Sequence, residues 1–345
     1  MNTPALDQSI EPTPVTGDPE MMSAIVQDTY GTAPEAVLRV AEIARPTIGD
    51  GEVLVRVAAA SVDRGTWHIM TGLPYAIRLA GFGVRAPKAP NPGRALAGTV
   101  ESVGKDVTEL KPGDNVYGTS DGSFAEYARA EASKLALKPA NLSFEQAAAA
   151  PISGVTALQA VRKANVQSGQ KVLIIGASGG VGTFAVQIAK AFGAEVTGVS
   201  STAKMDLVRA LGADHVIDYT LDDFSSGEQR YDVILDIGGN HRLSHLRRSL
   251  TPQGTLVIVG GETGGRWLGG FDRSLRAVVL SLFVGQKLSM LASTENSKDL
   301  SALRDLIESG EVTPAIDRTY PLRETPNAIQ YVSENRATGK VVISV

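Results

Sequence analysis

The chain has 345 residues, 43% of them apolar and 20% charged, with a net charge of -4. These values are typical of a soluble globular protein with two domains of ordinary size, and the weak negative charge predicts no basic surface for nucleic acid. The sequence contains no cysteine, which excludes disulfides, cysteine-bound zinc and thiol nucleophiles and fits a reducing cytoplasm.

Residues 1–22 read as a disordered leader, because they are polar, rich in proline and without an apolar core. They lack the basic and apolar regions of a signal peptide. No apolar run in the chain approaches the roughly 18 residues of a membrane span. We therefore expect a cytoplasmic protein with no membrane partner.

Residues 23–139 follow the pattern of short strands separated by turns. Glu52–Ser61 begins with the alternation of a half-buried strand, and Leu96–Gly104 and Phe124–Glu131 are further predicted strands. Lys111–Asp114 is typical of a turn between them. Short strands with closely spaced turns predict a barrel-like domain rather than a parallel sheet.

The pattern changes between residues 140 and 292, where predicted strands and helices alternate. Alternation of this kind predicts an α/β fold with a doubly wound parallel sheet. The predicted strands are Lys171–Gly176, Glu195–Val199, His215–Asp218, Asp232–Asp236 and Thr255–Val259. No clear pattern covers Gly261 to Ala292, and residues 293–345 predict a helix, a strand, a second helix and a final strand.

A glycine-rich turn follows the first of these strands and opens an apolar-striped helix. Its sequence matches the dinucleotide-binding pattern G-x-G-x-x-G, with alanine at the first glycine position. Gly179 would let the backbone approach a pyrophosphate at the helix N-terminus, and Gly182 would let the helix pack close to the strand. The alternative is a turn that only packs a βαβ unit. The predicted cofactor-binding residues of the turn are Ala177, Ser178, Gly179, Gly180, Val181 and Gly182.

The end of the second strand favours NADPH over NADH. No acid follows Val199, where NAD sites usually place one to bind the ribose. Ser200, Ser201 and Lys204 can instead bind a 2′-phosphate, and Tyr219 can flank the adenine. The alternative is that the two serines cap the next helix and Lys204 is a solvated charge.

Four segments stand in a characteristic order. "KPGDNVYG" (Lys111–Gly118) lies in the β-rich part, and "SGVTALQAV" (Ser153–Val161), the glycine turn and "LGADHVIDY" (Leu211–Tyr219) follow it. This order resembles the medium-chain dehydrogenase/reductase superfamily, in its zinc-independent quinone-oxidoreductase branch. The resemblance covers all of the chain except the leader.

The resemblance implies a GroES-like substrate domain formed by residues 23–139 and 293–345, with a Rossmann NADP-binding domain over residues 140–292 between them. It also implies an active site in the cleft between the domains, a small-molecule substrate and a homodimer. Thr156 matches a position near the nicotinamide.

Zinc-dependent members of the superfamily carry Gly-His-Glu where this chain has Gly93-Arg94-Ala95. With no cysteine and no third ligand beside His241 and His245, we expect no metal site. Hydride addition to a quinone or to the C=C bond of an α,β-unsaturated carbonyl needs no metal and is the favoured reaction. The alternatives are an alcohol dehydrogenase that works without zinc and an NADPH-binding sensor.

By the same resemblance, Ala58–Tyr75 forms the substrate side of the cleft. Asp63 is a candidate catalytic carboxylate that orients cofactor or substrate, or else a structural partner of Arg64 or Arg94. Tyr75 is a candidate proton donor or a wall residue. Departures from the family pattern at Asp63, Thr66 and Ala95 keep the sensor alternative open.

Ligands of parallel sheets bind outside the carboxyl ends of the strands. Asp236 ends the fourth predicted strand, and Gly260 and Gly261 follow the fifth. We expect these three residues to face the cofactor. The alternatives are a helix cap for Asp236 and a tight turn for the glycines.

Overall fold

The structure is a computed structural model that describes residues 20–239, 241–261 and 265–345. Residues 1–19 of the predicted leader therefore lie outside the described residues. The first strand begins at Met21, so the last two residues assigned to the leader belong to a strand instead.

Short strands dominate the part before residue 150. They are connected by brief helices, by a π-helix at Arg78–Phe82 and by a 3-10 helix at Ala132–Lys134. The elements are β1 (Met21–Gln27), α1 (Pro34–Val37), β2 (Leu38–Ala44), β3 (Glu52–Val62), α2 (Arg64–Thr71), α3 (Tyr75–Ile77), β4 (Ala95–Val103), β5 (Asn115–Thr119), β6 (Tyr127–Glu131), β7 (Leu135–Leu137) and α4 (Phe144–Ala148).

Strands and helices then alternate, as the sequence pattern predicts. The elements are α5 (Pro151–Ala164), β8 (Lys171–Ile175), α6 (Gly180–Ala191), β9 (Glu195–Ser200), α7 (Met205–Ala210), β10 (His215–Asp218), β11 (Tyr231–Asp236), α8 (Leu243–Ser249), β12 (Leu250–Ile258), α9 (Gly265–Leu268), α10 (Phe271–Ser281) and β13 (Lys287–Met290). A 3-10 helix at Thr202–Lys204 precedes α7.

The last part contains α11 (Ser297–Glu308), β14 (Ile316–Pro321), a 3-10 helix at Leu322–Glu324, α12 (Thr325–Ser333) and β15 (Lys340–Ser344). β15 pairs antiparallel with β3, with Val341 opposite Val62. The last two strands thus share one sheet with β3 from the first part, in the order β14-β15-β3-β4-β5-β7, and β6 also pairs with β3. β1 and β2 form a separate two-stranded antiparallel sheet.

The central sheet has six strands in the order β10-β9-β8-β11-β12-β13, and every pair is parallel. The order reverses between β8 and β11, which is where ligands bind in sheets of this type. The doubly wound α/β fold with a second, β-rich domain is therefore confirmed. The sixth strand, β13, lies in the region that shows no clear pattern.

Alternate residues of β8 belong to different cores. Val172 and Ile174 pack in the cluster that includes α5 and α6, whereas Leu173 and Ile175 pack in the cluster on the other face. A parallel sheet covered on both faces requires such a continuous apolar strand. This packing fixes the carboxyl ends of the strands, where the predicted cofactor residues lie.

Candidate active site

The glycine turn connects β8 to α6 in a tight conformation. Gly176 has a φ of 86°, and the amides of Gly176 and Ala177 both donate to the Val199 carbonyl at 3.2 and 3.1 Å. A Cβ on Gly182 would lie 2.1 Å from the Gly176 carbonyl oxygen, so only glycine lets the helix approach the strand. A Cβ on Gly179 would meet only that same oxygen, at 3.5 Å. The turn is therefore open at Gly179 and fits an approaching pyrophosphate.

The neighbouring residues of the turn have protein neighbours of their own. A Cβ on Gly180 would lie 3.1 Å from Lys340 Cδ and 3.2 Å from Ser153 Oγ. The Ser178 carbonyl accepts a hydrogen bond from the Gly339 amide at 3.0 Å. Val181 packs against the core shared with α5. These contacts link the turn to the end of the chain, which the local sequence does not indicate.

Two residues predicted to bind the 2′-phosphate end of the cofactor, Ser200 and Tyr219, are neighbours at the ends of β9 and β10. Ser200 is buried and lies opposite Asp218 of β10, and the Tyr219 amide donates to the Ser200 carbonyl at 3.1 Å. Ser201 precedes the 3-10 helix without a capping hydrogen bond from its side chain. Side-chain capping by Ser201, one of the alternatives, is therefore absent.

Lys204 is not the solvated charge of the alternative reading. Its Nζ donates to the carbonyls of Asn335 and Ala337 at 3.0 and 2.6 Å, and burial lowers the pKa of Lys204. These carbonyls flank Arg336, which pairs with Glu334 at 2.6 Å. The backbone around Arg336 thus lies beside Lys204, while the Arg336 guanidinium stacks 4.7 Å from the centre of the Tyr331 ring. No local pattern marks this segment, because it is far from Lys204 in the sequence.

Asp236 is fully buried at the end of β11. Its carboxylate accepts from the Gly239 amide at 3.1 Å and from Arg273 Nη2 at 2.6 Å. A Cβ on Gly260 would lie 2.1 Å from the Ile237 carbonyl oxygen, and one on Gly261 would lie 3.0 Å from that of Gly269. Protein packing thus accounts for the Asp236 side chain and for both glycines, so only backbone groups here remain for a ligand.

Thr156 on α5 donates to Ser293 Oγ at 3.2 Å. Ser293 follows β13 and therefore lies at the edge of the sheet where ligands bind. Thr156 and Ser293 come from opposite ends of the sheet-forming region. The sequence does not indicate Ser293, because the preceding strand β13 is short and carries polar residues.

Asp63 is the N-cap residue of α2 and forms a reciprocal capping box with Thr66. Asp63 Oδ1 accepts from the Thr66 amide at 3.0 Å, and Thr66 Oγ1 accepts from the Asp63 amide at 3.4 Å. Pairing of Asp63 with Arg94, one of the alternatives, is not found, because Arg94 pairs with Glu295 at 3.2 Å. Arg64 instead donates to the backbone at the end of α12. Asp63 Oδ2 is buried with no hydrogen-bond partner among the described residues.

The sequence matches the families described as alcohol dehydrogenase GroES-like domain, over residues 49–140, and zinc-binding dehydrogenase, over residues 211–343. It is 34% identical over 340 residues to the 2-methylene-furan-3-one reductase of Solanum lycopersicum, covering 94% of this chain and 79% of the relative. The chain belongs to the medium-chain dehydrogenase/reductase superfamily, in its quinone-oxidoreductase-like branch.

Further comparisons agree with this membership. The chain is 33% identical to the chloroplastic NADPH-dependent alkenal/one oxidoreductase of Arabidopsis thaliana, over 95% of this chain and 82% of the relative. Its fold is similar to that of the quinone oxidoreductase from Coxiella burnetii, with a TM-score of 0.83, 27% identity, and coverage of 94% of this chain and 100% of the other. The protein is therefore an oxidoreductase that uses a nicotinamide cofactor.

On the predicted substrate side of the cleft, Tyr75 packs between two side chains. Its ring meets the Trp267 ring edge-on at 5.2 Å, and the Arg78 guanidinium lies 4.8 Å from the ring centre. This environment favours the role of a wall residue.

Across residues 20–239, 241–261 and 265–345, no three His, Asp or Glu side chains lie close enough together to hold a metal ion. In the same described ranges, no helix combines the length and the apolar character needed to cross a bilayer.

Proposed function

We propose that the protein is a zinc-independent, NADPH-dependent reductase of quinones or of the C=C bond of α,β-unsaturated carbonyls. The arrangement at the end of β9 carries this proposal, because Tyr219 is hydrogen-bonded to Ser200, Lys204 follows four residues later, and no acid directly follows the strand. The names of the relatives support it, since they include an NADPH-dependent alkenal/one oxidoreductase and a quinone oxidoreductase.

The cofactor would lie along the carboxyl edge of the central sheet. Ala177 to Gly182 would hold the pyrophosphate, because the turn is open at Gly179 and leads into a helix N-terminus. Ser200, Ser201, Lys204 and Tyr219 would hold the 2′-phosphate end, with the backbone around Arg336 beside Lys204. At the other end, Thr156 and Ser293 would face the nicotinamide, and the backbone at Asp236, Gly260 and Gly261 would line the path between the two ends.

When bound, the cofactor supplies the hydride. The residues of this chain orient the substrate, exclude water and donate hydrogen bonds to its carbonyl oxygen as negative charge develops. We assign Asp63 to positioning in the cleft and Tyr75 to its wall, with the Tyr75 hydroxyl or water as proton source.

We propose that no zinc takes part. Arg94 occupies the place of a zinc ligand, and its guanidinium is paired with Glu295. A guanidinium keeps its charge in proteins and offers no lone pair to a metal. Elemental analysis that found about one tightly bound zinc per chain would contradict this part of the proposal.

The test of the function is an NADPH oxidation screen over quinones, enones and aldehydes, repeated with NADH. We expect turnover of quinones or enones with NADPH preferred. Turnover of alcohols and aldehydes alone would favour the alcohol dehydrogenase alternative. Tight NADPH binding with no turnover would favour the sensor. The capping box weakens one argument for the sensor, because it gives the unusual Thr66 a structural role.

We further propose that the protein is a homodimer in the cytoplasm. Exposed apolar side chains on and after α10, such as Leu282 and Phe283, support a buried contact with a second copy, because monomers rarely expose such patches. Light scattering during gel filtration would test this, and a monomer at working concentration would refute it.

A further inference from the structure

Lys340 is an unusual residue, because it is only 2% exposed and lysine is almost never fully buried unless it is paired. Its Nζ donates to the Val62 carbonyl at 3.2 Å. An ammonium group has three donors, and Val62 is the one acceptor that the described residues provide. Burial lowers the pKa of Lys340, while the nearby Asp63 carboxylate raises it.

Two further buried polar atoms near Lys340 have no hydrogen-bond partner among the described residues. They are Asp63 Oδ2 and Ser153 Oγ. Asp63 directly follows Val62, and Ser153 Oγ borders the same point beside Gly180 that Lys340 Cδ borders. Buried polar groups are rarely left unpaired, so a buried cluster of this chemistry requires an explanation.

The cluster lies where the two domains meet. Lys340 begins β15, which pairs with β3, and the preceding Gly339 amide binds the glycine turn through the Ser178 carbonyl at 3.0 Å. Asp63 ends the connection from β3 and caps α2 through its other oxygen. One oxygen of this carboxylate therefore binds α2, and the other is buried without a partner directly after Val62, whose carbonyl Lys340 binds.

We propose that Lys340 is a positioning residue whose buried ammonium holds Asp63, and with it the start of α2, in place against the glycine turn. Opposite charges attract strongly when they are shielded from water. The proposal rests on the proposed function, because α2 belongs to the substrate wall of the cleft. It also gives Gly180 a reason beyond phosphate binding, since a side chain there would displace Lys340.

The first test compares Lys340→Met with Lys138→Met. Lys138 is a matched control because its ammonium also donates to backbone carbonyls and burial also lowers its pKa. In Lys340→Met we expect kcat/KM for the quinone or enone substrate to fall about 10- to 100-fold. The NADPH Kd should change less than about threefold. Lys138→Met should change neither value by more than about threefold.

Two results would overturn the proposal. A lower melting temperature with an unchanged kcat/KM per folded protein would make Lys340 merely structural. An NADPH Kd raised by more than about tenfold with kcat unchanged would make Lys340 a direct cofactor contact.

The second test is a double-mutant cycle with Asp63→Asn. Because Lys340 acts through Asp63 in this proposal, Lys340→Met should cause no further loss of kcat/KM in the Asp63→Asn background. Losses that multiply would contradict it. The double variant also removes both charges of the pair, so it keeps the test usable if Lys340→Met alone fails to fold.

The third test needs no activity and so separates this proposal from the proposed function. The chain has two tryptophans, and Trp67 lies on α2. In a Trp267→Phe background, adding Lys340→Met should shift Trp67 emission in the absence of cofactor, whereas adding Lys138→Met should leave it unchanged. If no substrate is turned over but emission shifts, the function fails and the positioning role stands. Unchanged emission overturns the positioning role.

Discussion

The cofactor side and the substrate side of the cleft are built in different ways. The glycine turn is governed by backbone contacts within a few residues, such as the approach of Gly182 to the Gly176 carbonyl. The substrate side is assembled from distant segments, as in the contact of Tyr75 with Trp267 and of Arg94 with Glu295. A substitution at a tightly packed glycine of the first side should therefore act through the fold, whereas a substitution of an exposed side chain on the second side should act mainly through substrate binding.

The largest effect should come from Gly182→Ala. Its Cβ would lie 2.1 Å from a backbone oxygen, so α6 must shift, at a cost of about 1–3 kcal/mol in the free energy of unfolding. In the matched variant Gly179→Ala the methyl has space, and stability should change by less than about 0.5 kcal/mol while NADPH affinity falls. Urea unfolding and cofactor titration measure the two effects, and equal stability losses would contradict the distinction.

Lys204→Ala should weaken NADPH binding selectively. Loss of a charged hydrogen-bond partner of the 2′-phosphate should lower the binding free energy by about 1–3 kcal/mol, with NADH affinity almost unchanged. Arg336→Ala should act in the same direction. The ratio of the two cofactors' Kd values is the measurement, and tighter binding of NADH than NADPH by the wild type would refute the 2′-phosphate site.

Trp267→Ala tests the substrate side. Trp267 is 75% exposed and meets Tyr75 edge-on, and such ring pairs contribute about 0.5–1.5 kcal/mol. We expect KM for the substrate to rise several-fold and the melting temperature to fall by no more than a few degrees, with the NADPH Kd unchanged. Val40→Ala, at another exposed apolar side chain, is the control, and an equal rise in KM there would contradict this role of Trp267.

The smallest effect concerns pH. Hydrogen bonds from the Thr202 and Thr220 hydroxyls hold the pKa of Asp218 below its usual value. A lowered folded-state pKa adds stability that is complete above the unfolded value of about 3.9 and is lost as pH falls through the folded value. The wild type should therefore lose its stability advantage over Asp218→Asn on acidification. Urea unfolding across the acid range tests this, with Asp206→Asn on the exposed side of α7 as the control.

The parts that local sequence predicts are those whose reasons are local. β10 begins and ends at the predicted residues, and the turn from Ala177 to Gly182 follows its strand as expected, because periodicity and glycine geometry operate over a few residues. β13, Ser293 and Arg336 have no such pattern. Their places depend on contacts with residues far away in the sequence, and Asp63 gains its neighbour Lys340 only when the chain has folded.

The pairing of β15 with β3 also has a consequence for folding. Val62 and Val341 are opposite one another, so a loop that contains the whole central sheet must close when this pair forms. Contacts of such long sequence separation form late, whereas the central parallel sheet is complete within its own segment. During folding, the edge of β3 that later pairs with β15 therefore remains unpaired. An unpaired strand edge can pair with other chains. Refolding yield should accordingly fall as protein concentration rises.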